Sequence, residues 1–129
     1  MTEAADFPRL FAAAFGAQDA EAMAHLFAED GSFHSLTGHF AEGRKAVAAG
    51  LAAEFSGLSR MGRLVTGKTS LRALGPGAVI LHQRYVVTGL RDATGAEMPR
   101  VGALLTAVMV ATGTGWHAMT ATFAVVEGA

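Results

Sequence analysis

Apolar residues recur with a helical period through roughly the first half of the chain and with a strand-like period through the second. Phe7, Leu10, Phe11, Ala14 and Phe15 fall at i, i+3, i+4, i+7 and i+8, one stripe along an α-helix. Asp6 can cap its start, Pro8 is tolerated in a first turn, and Gly16 ends it. Asp19 predicts the cap of a second, shorter helix with a stripe of Met23, Leu26 and Phe27, stopped by Glu-Asp-Gly at 29–31. Residues 32–36 alternate as a strand does, and Thr37-Gly38 turns the chain back through His39 and Phe40. A third helix fits 43–57, with Val47, Leu51 and Phe55 spaced by four. Four strand-like runs follow, at 63–74, 78–89, 100–112 and 116–127, divided by turns rich in glycine. Helices first and long strands afterwards predict an α+β fold, a curved antiparallel sheet with the three N-terminal helices filling its concave side. Several strands are apolar at both alternating sets of positions. One face then packs on the helices, and the other is expected to meet a second copy in a homodimer. No repeat or linker interrupts residues 1–129, so one domain is expected.

Composition narrows the function. Apolar residues are 51% of the chain, charged residues 16%, and the formal net charge is −1. That balance makes no electrostatic case for nucleic acid or an anionic membrane surface. The apolar surplus points to an internal pocket, which would take a hydrophobic small molecule, or to a subunit interface. The absence of cysteine excludes thiolate chemistry, disulfides and cysteine-ligated metal. The N-terminus lacks a basic region followed by an apolar run, and no stretch has the length of a membrane helix, so a cytoplasmic protein is expected.

The segment AQDAEAMAHLFAEDGSFHSLTGHFAEGRKAVAAGL (17–51), with PGAVILHQRYVVTG (76–89) and LLTAVMVATGTGWHAM (104–119), resembles the SnoaL-like branch of the nuclear-transport-factor-2-like superfamily. Within it the chain looks like the SgcJ/EcaC subgroup, which occurs with polyketide and enediyne biosynthesis. The resemblance implies that the sheet closes as a cone around the helices, but the scaffold hosts isomerases, cyclases, hydrolases, dehydratases and plain binding proteins alike. The ketosteroid-isomerase pattern puts Ser35 at the position of the general base, Phe11 at that of a donor tyrosine and Thr106 at that of a donor acid. None of the three keeps the chemical group, so that machinery is absent. The Asp–Arg–Asp pattern of the epoxide-hydrolase relatives also fails: Arg84 and Arg100 are present, but the four strand runs hold no acid before Glu127. The polar pair that usually follows the last-strand tryptophan in the SgcJ type is replaced by Thr122-Phe123.

The same resemblance implies an inward register. Leu81, Gln83, Tyr85 and Val87 face the cone, then Arg100, Gly102, Leu104, Thr106, Val108 and Val110, then His117, Met119, Ala121 and Phe123. A slip of one residue would exchange the faces of a whole set. His117 becomes the acid/base candidate, because imidazole titrates near working pH; the alternative is a rim histidine bonded to a neighbouring backbone group. Tyr85 could donate to a substrate carbonyl, or find a partner within the protein. Gln83, Thr106 and Arg100 could position a ligand, and Gln83 and Thr106 could instead satisfy each other. Phe11, Phe15, Ser35, Met119 and Phe123 would line the pocket. His34 could replace the missing base, but alternation with Ser35 turns it outward unless the strand bulges.

No metal site is expected, since His25, His34, His39, His82 and His117 show no ligand spacing, and no cofactor is implied. Gly62-x4-Gly67-Lys68-Thr69 matches a phosphate-loop pattern formally, but the strand-like context leaves no helix to receive a phosphate. The leading expectation is a cofactor-independent cyclase, isomerase or dehydratase acting on a polyketide-like or polycyclic compound. A non-catalytic binding or sequestering protein is the alternative. A third reading, a dimeric interaction module, requires a cone filled by Phe11, Phe15, Phe27, Met119 and Phe123.

Overall fold

A computed structural model describes residues 1–126; Glu127, the end of the last strand-like run, lies outside the described residues. A 3-10 turn at Ala4–Asp6 leads into α1 (Phe7–Gly16) and α2 (Ala20–Ala24). Then come β1 (Phe27–His34), β2 (Phe40–Glu42), α3 (Arg44–Phe55), β3 (Arg63–Gly75), β4 (Ala78–Thr88), β5 (Val101–Thr112) and β6 (Gly115–Val126). The six strands form one curved sheet in the order β2-β1-β6-β5-β4-β3, antiparallel except where β1 runs parallel to β6. The α+β expectation is met. Among the described residues no helix is long and apolar enough to cross a membrane.

The helices follow their stripes. α1 buries Phe7, Phe11, Ala14 and Phe15, and α3 buries Val47, Leu51 and Phe55. α2 begins where expected, with the Asp19 carboxylate accepting from the Ala22 N–H at 3.0 Å, but ends three residues before Phe27. Phe27 opens a strand because β6 captures the chain there: the Ala118 N–H donates to the Leu26 carbonyl at 2.9 Å. Glu-Asp-Gly at 29–31 therefore lies inside β1, where the register against β6 shifts between Phe27 and Ser32. Gly31 fits this crowded crossing. A Cβ on it would stand 2.9 Å from the Ala118 carbonyl oxygen and 3.0 Å from that of Ala28. Arg44 ties α3 to the same place by donating to the Phe27 carbonyl from Nε (3.2 Å) and Nη2 (2.6 Å).

β4 turns Leu81, Gln83, Tyr85 and Val87 inward as expected. β5 is the reverse of expectation. Ala103, Leu105, Ala107 and Met109 are buried, while Leu104, Thr106, Val108 and Val110 are half-buried on the outer face, and Arg100 is exposed just before the strand. β6 divides its allegiance at a bulge: Val108 pairs with Thr120 but Met109 with Ala118, so Met119 is the extra residue. Ala121 and Phe123 point inward, and so does Ala118. His117 pairs with Val110 and shares its outer face, and Met119 is 37% exposed. The inward assignments of Arg100, Leu104, Thr106, Val108, Val110, His117 and Met119 are thus corrected.

Candidate functional site

One side of the core is formed by α1, the end of α3 and the turn between β1 and β2, where aromatic side chains and polar groups meet. In that turn the Ser35 N–H donates to the His39 carbonyl (2.8 Å), and the Gly38 N–H to the Ser35 carbonyl (2.9 Å). Gly38 has φ +87°, a conformation that side chains rarely adopt. The Ser35 side chain is buried and its Oγ accepts from the His39 N–H (3.2 Å). Thr37 donates its hydroxyl to Glu54 Oε1 (3.0 Å), which leaves Ser35 as the donor in the 3.2 Å contact with Thr37 Oγ1. A chain of hydroxyls therefore runs from Ser35 to the Glu54 carboxylate at the rim.

Behind this polar edge five phenylalanines, Phe11, Phe15, Phe33, Phe55 and Phe123, surround a void of only about 10 Å³, room for one water at most. Their rings meet edge to face, Phe11 with Phe123 at 5.3 Å and Phe15 with Phe55 at 5.6 Å between centroids. The cone is filled by its own aromatic side chains. Phe27 also belongs to that cluster, whereas Met119 does not.

The inward polar groups have partners within the protein. Tyr85 donates its hydroxyl to the Pro8 carbonyl at 2.6 Å and stacks on Phe11, and burial raises its pKa well above the ordinary tyrosine value. Gln83, fully buried, accepts from the Thr69 hydroxyl through Oε1 and donates from Nε2 to the carbonyls of Gly67 (3.0 Å) and Arg84 (2.8 Å). It does not meet Thr106, which pairs with His82 on the outer face. His34 is exposed opposite to Ser35, because the irregularity in β1 lies before Ser32 and leaves the alternation beyond it intact. His117 places Nδ1 3.0 Å from the Thr112 hydroxyl, outside the cone. Partial burial lowers its pKa, helped by the positive charges of the chain's amino terminus and Arg44 and partly offset by a bond with the Gly115 backbone. Neither His34 nor His117 reaches the mouth.

The structure thus brings Phe11, Phe15, Ser35 and Phe123 together and leaves Arg100, Thr106, His34, His117 and Met119 elsewhere. Glu54 and Thr37 escaped sequence reasoning. Glu54 sits beside the buried Phe55 on α3, but only the folded turn brings Thr37 within reach of it. Among the described residues no three His, Asp or Glu side chains converge. The phosphate-loop pattern ends inside β3, with Lys68 and Thr69 in an extended strand. A concavity of about 1340 Å³ is an open valley between α2 and α3 lined by alanines and charges of both signs, away from the cone's interior.

Residues 9–128 match the model of the SnoaL-like domain family. The chain belongs to that family. No curated protein matches it. The SnoaL-like domain superimposes on an uncharacterised protein with a cystatin-like fold from Caulobacter vibrioides (TM-score 0.84, 19% identity, 95% of this chain and 87% of that one). It is also similar to a cystatin-like, NTF2-like protein from Novosphingobium aromaticivorans (0.76, 20%, 96% and 80%). A third match is Aln2 from a Streptomyces species (0.73, 18%, 95% and 88%). At such identities the likeness establishes the fold alone.

Proposed function

We propose that this SnoaL-like domain binds a flat hydrophobic molecule, polyketide-like or polycyclic, at its phenylalanine-lined mouth and retains it without turnover. One observation carries the reading: the strand-borne inward polar groups Tyr85 and Gln83 are already hydrogen-bonded within the protein, so the aromatic walls face Ser35, Ser59 and Glu54 alone. Planar rings suit edge-to-face walls, and the Ser35–Thr37–Glu54 chain can accept or donate to a hydroxyl or carbonyl at the rim. Entry requires Phe15 and Phe55 to swing apart, since the resting void admits no ligand. We read the chain further as a cytoplasmic, single-domain, SgcJ/EcaC-type homodimer, with the half-buried apolar outer positions Val108 and Val110 in its interface.

The filled cone also favours a second reading, an assembly module whose sheet face is the functional surface. Incubation with polycyclic ketones and hydroxyquinones, then mass-resolved chromatography of bound and free fractions, separates the cases. Retention of an unchanged compound, lost in Ser35→Ala or Glu54→Gln, is the expected result. A product of altered mass or retention means an enzyme. If neither the protein nor Phe55→Ala, whose mouth is wider, holds any compound, the assembly reading replaces the binding one.

A further inference from the structure

β3 and β4 run in register through Leu64–Val87 and Thr66–Tyr85, then slip, so that Thr69 faces Gln83 and both Gly67 and Lys68 stand opposite Arg84. The slip is a β-bulge, a device over-represented beside functional sites because it re-aims side chains. It is braced from within by Gln83, whose amide donates to the carbonyls of Gly67 and Arg84 on either side of the slip. Gly67 keeps the two strands close there: a Cβ would lie 3.1 Å from the Arg84 carbonyl oxygen.

On the outer face this bulge places Lys68 and Arg84 in the walls of two adjoining depressions. One, about 310 Å³, is completed by Ser70, His82 and Leu104; the other, about 260 Å³, holds Val65, Val86 and Val126. β3 to β6 contain no Asp or Glu between Arg63 and Val126 within their strand bounds. Among the described residues the ion pairs are Arg9–Asp6 and Arg91–Glu97, and neither involves Lys68 or Arg84. Among the described residues, two cations without carboxylate partners therefore flank a hydroxyl and an imidazole on one side and an apolar floor on the other.

We propose that this bulge binds an amphiphilic organic anion, a carboxylate or phosphate head group on an apolar body. The Arg84 guanidinium takes two head-group oxygens in its fork, Lys68 adds a point charge, and Ser70 and His82 supply further donors. The apolar body lies along Val86 and Val126. The site is separate from the aromatic mouth, and it flanks the part of the outer face formed by β5 and β6.

Calorimetric titration of the full chain with decanoate and decyl phosphate, each kept monomeric, tests this. At least one anion should bind, the tighter of the two identifying the head group, while decyltrimethylammonium should not. Arg84→Gln and Lys68→Gln should each weaken binding by about tenfold, the scale of one charge-assisted contact, with Arg9→Gln as a neutral control. Both side chains are exposed, so the melting temperature should hold and loss of binding is not loss of fold. Equal binding of anion and cation, unchanged affinity in both variants, or displacement of the anion by a hydroxyquinone that occupies the mouth would overturn the proposal. So would capture by phosphatidylglycerol vesicles with no binding of the monomeric probes.

Discussion

Tyr85 keeps its proton deep in the core, donating to the Pro8 carbonyl, and burial raises its pKa. The consequence for pH has a definite sign. Below the unfolded tyrosine value of about 10, both states are protonated and the contribution is complete. Above it the unfolded chain ionises while the folded one resists, so stability falls as pH rises further. Tyr85→Phe should cost about 1 kcal/mol at neutral pH, the usual size of one hydrogen bond, and should flatten that alkaline decline; urea denaturation at neutral and alkaline pH measures both. If Tyr85 were a carbonyl donor to the ligand, the same variant would abolish retention, whereas the geometry predicts that retention survives. Gln83→Leu should cost about 1–3 kcal/mol, because the bulge carbonyls lose their donor. The register implied by the resemblance turned both residues inward, and alternation tied them to one face. Their partners were invisible because most are backbone carbonyls, those of Pro8, Gly67 and Arg84, which carry no side-chain signature.

Among the elements, the helical stripes and β4 were legible because burial there is one-sided. β5 was not. Its outer set holds Leu104, Val108 and Val110 and its inner set Leu105 and Met109 beside Ala103 and Ala107, so both faces are apolar and the pattern does not tell them apart. Across the core, phenylalanine rings from α1 and β1 fill the volume, and the facing strand carries alanine at 103 and 107 beside the buried Leu105 and Met109. In β6 the alternating pattern runs on unbroken past Met119, so nothing marks the bulge that reverses His117. At the neighbouring crossing of β1 and β6, Gly31→Ala should destabilise by about 2 kcal/mol or more, since the obstructing atoms are backbone oxygens that yield little; thermal unfolding checks it.

For the whole molecule, the near-zero net charge conceals a separation. Asp19, Glu21, Glu29, Asp30 and Glu42 lie on α2, β1, β2 and their flanks, while the charged residues within β3 and β4, Arg63, Lys68, Arg72 and Arg84, are all cations. If the outer face joins two copies, Val108→Glu should produce a monomer of unchanged secondary structure, read by sedimentation velocity and circular dichroism. A wild-type protein that already sediments as a monomer would refute the dimer.

β3 forms one margin of the sheet, 13 residues long and exposed along most of its length, with Val65 and Leu74 more than half open to solvent. Such a margin is a template on which other chains can stack through their backbones. The kink at Gly67–Lys68 and the flanking Arg63 and Arg72 interrupt it, which gives these residues a protective role whether or not anything binds to them. Straightening the kink with Gln83→Leu should therefore shorten the solution lifetime of the protein, with visible precipitate or fibres forming at concentrations the parent tolerates.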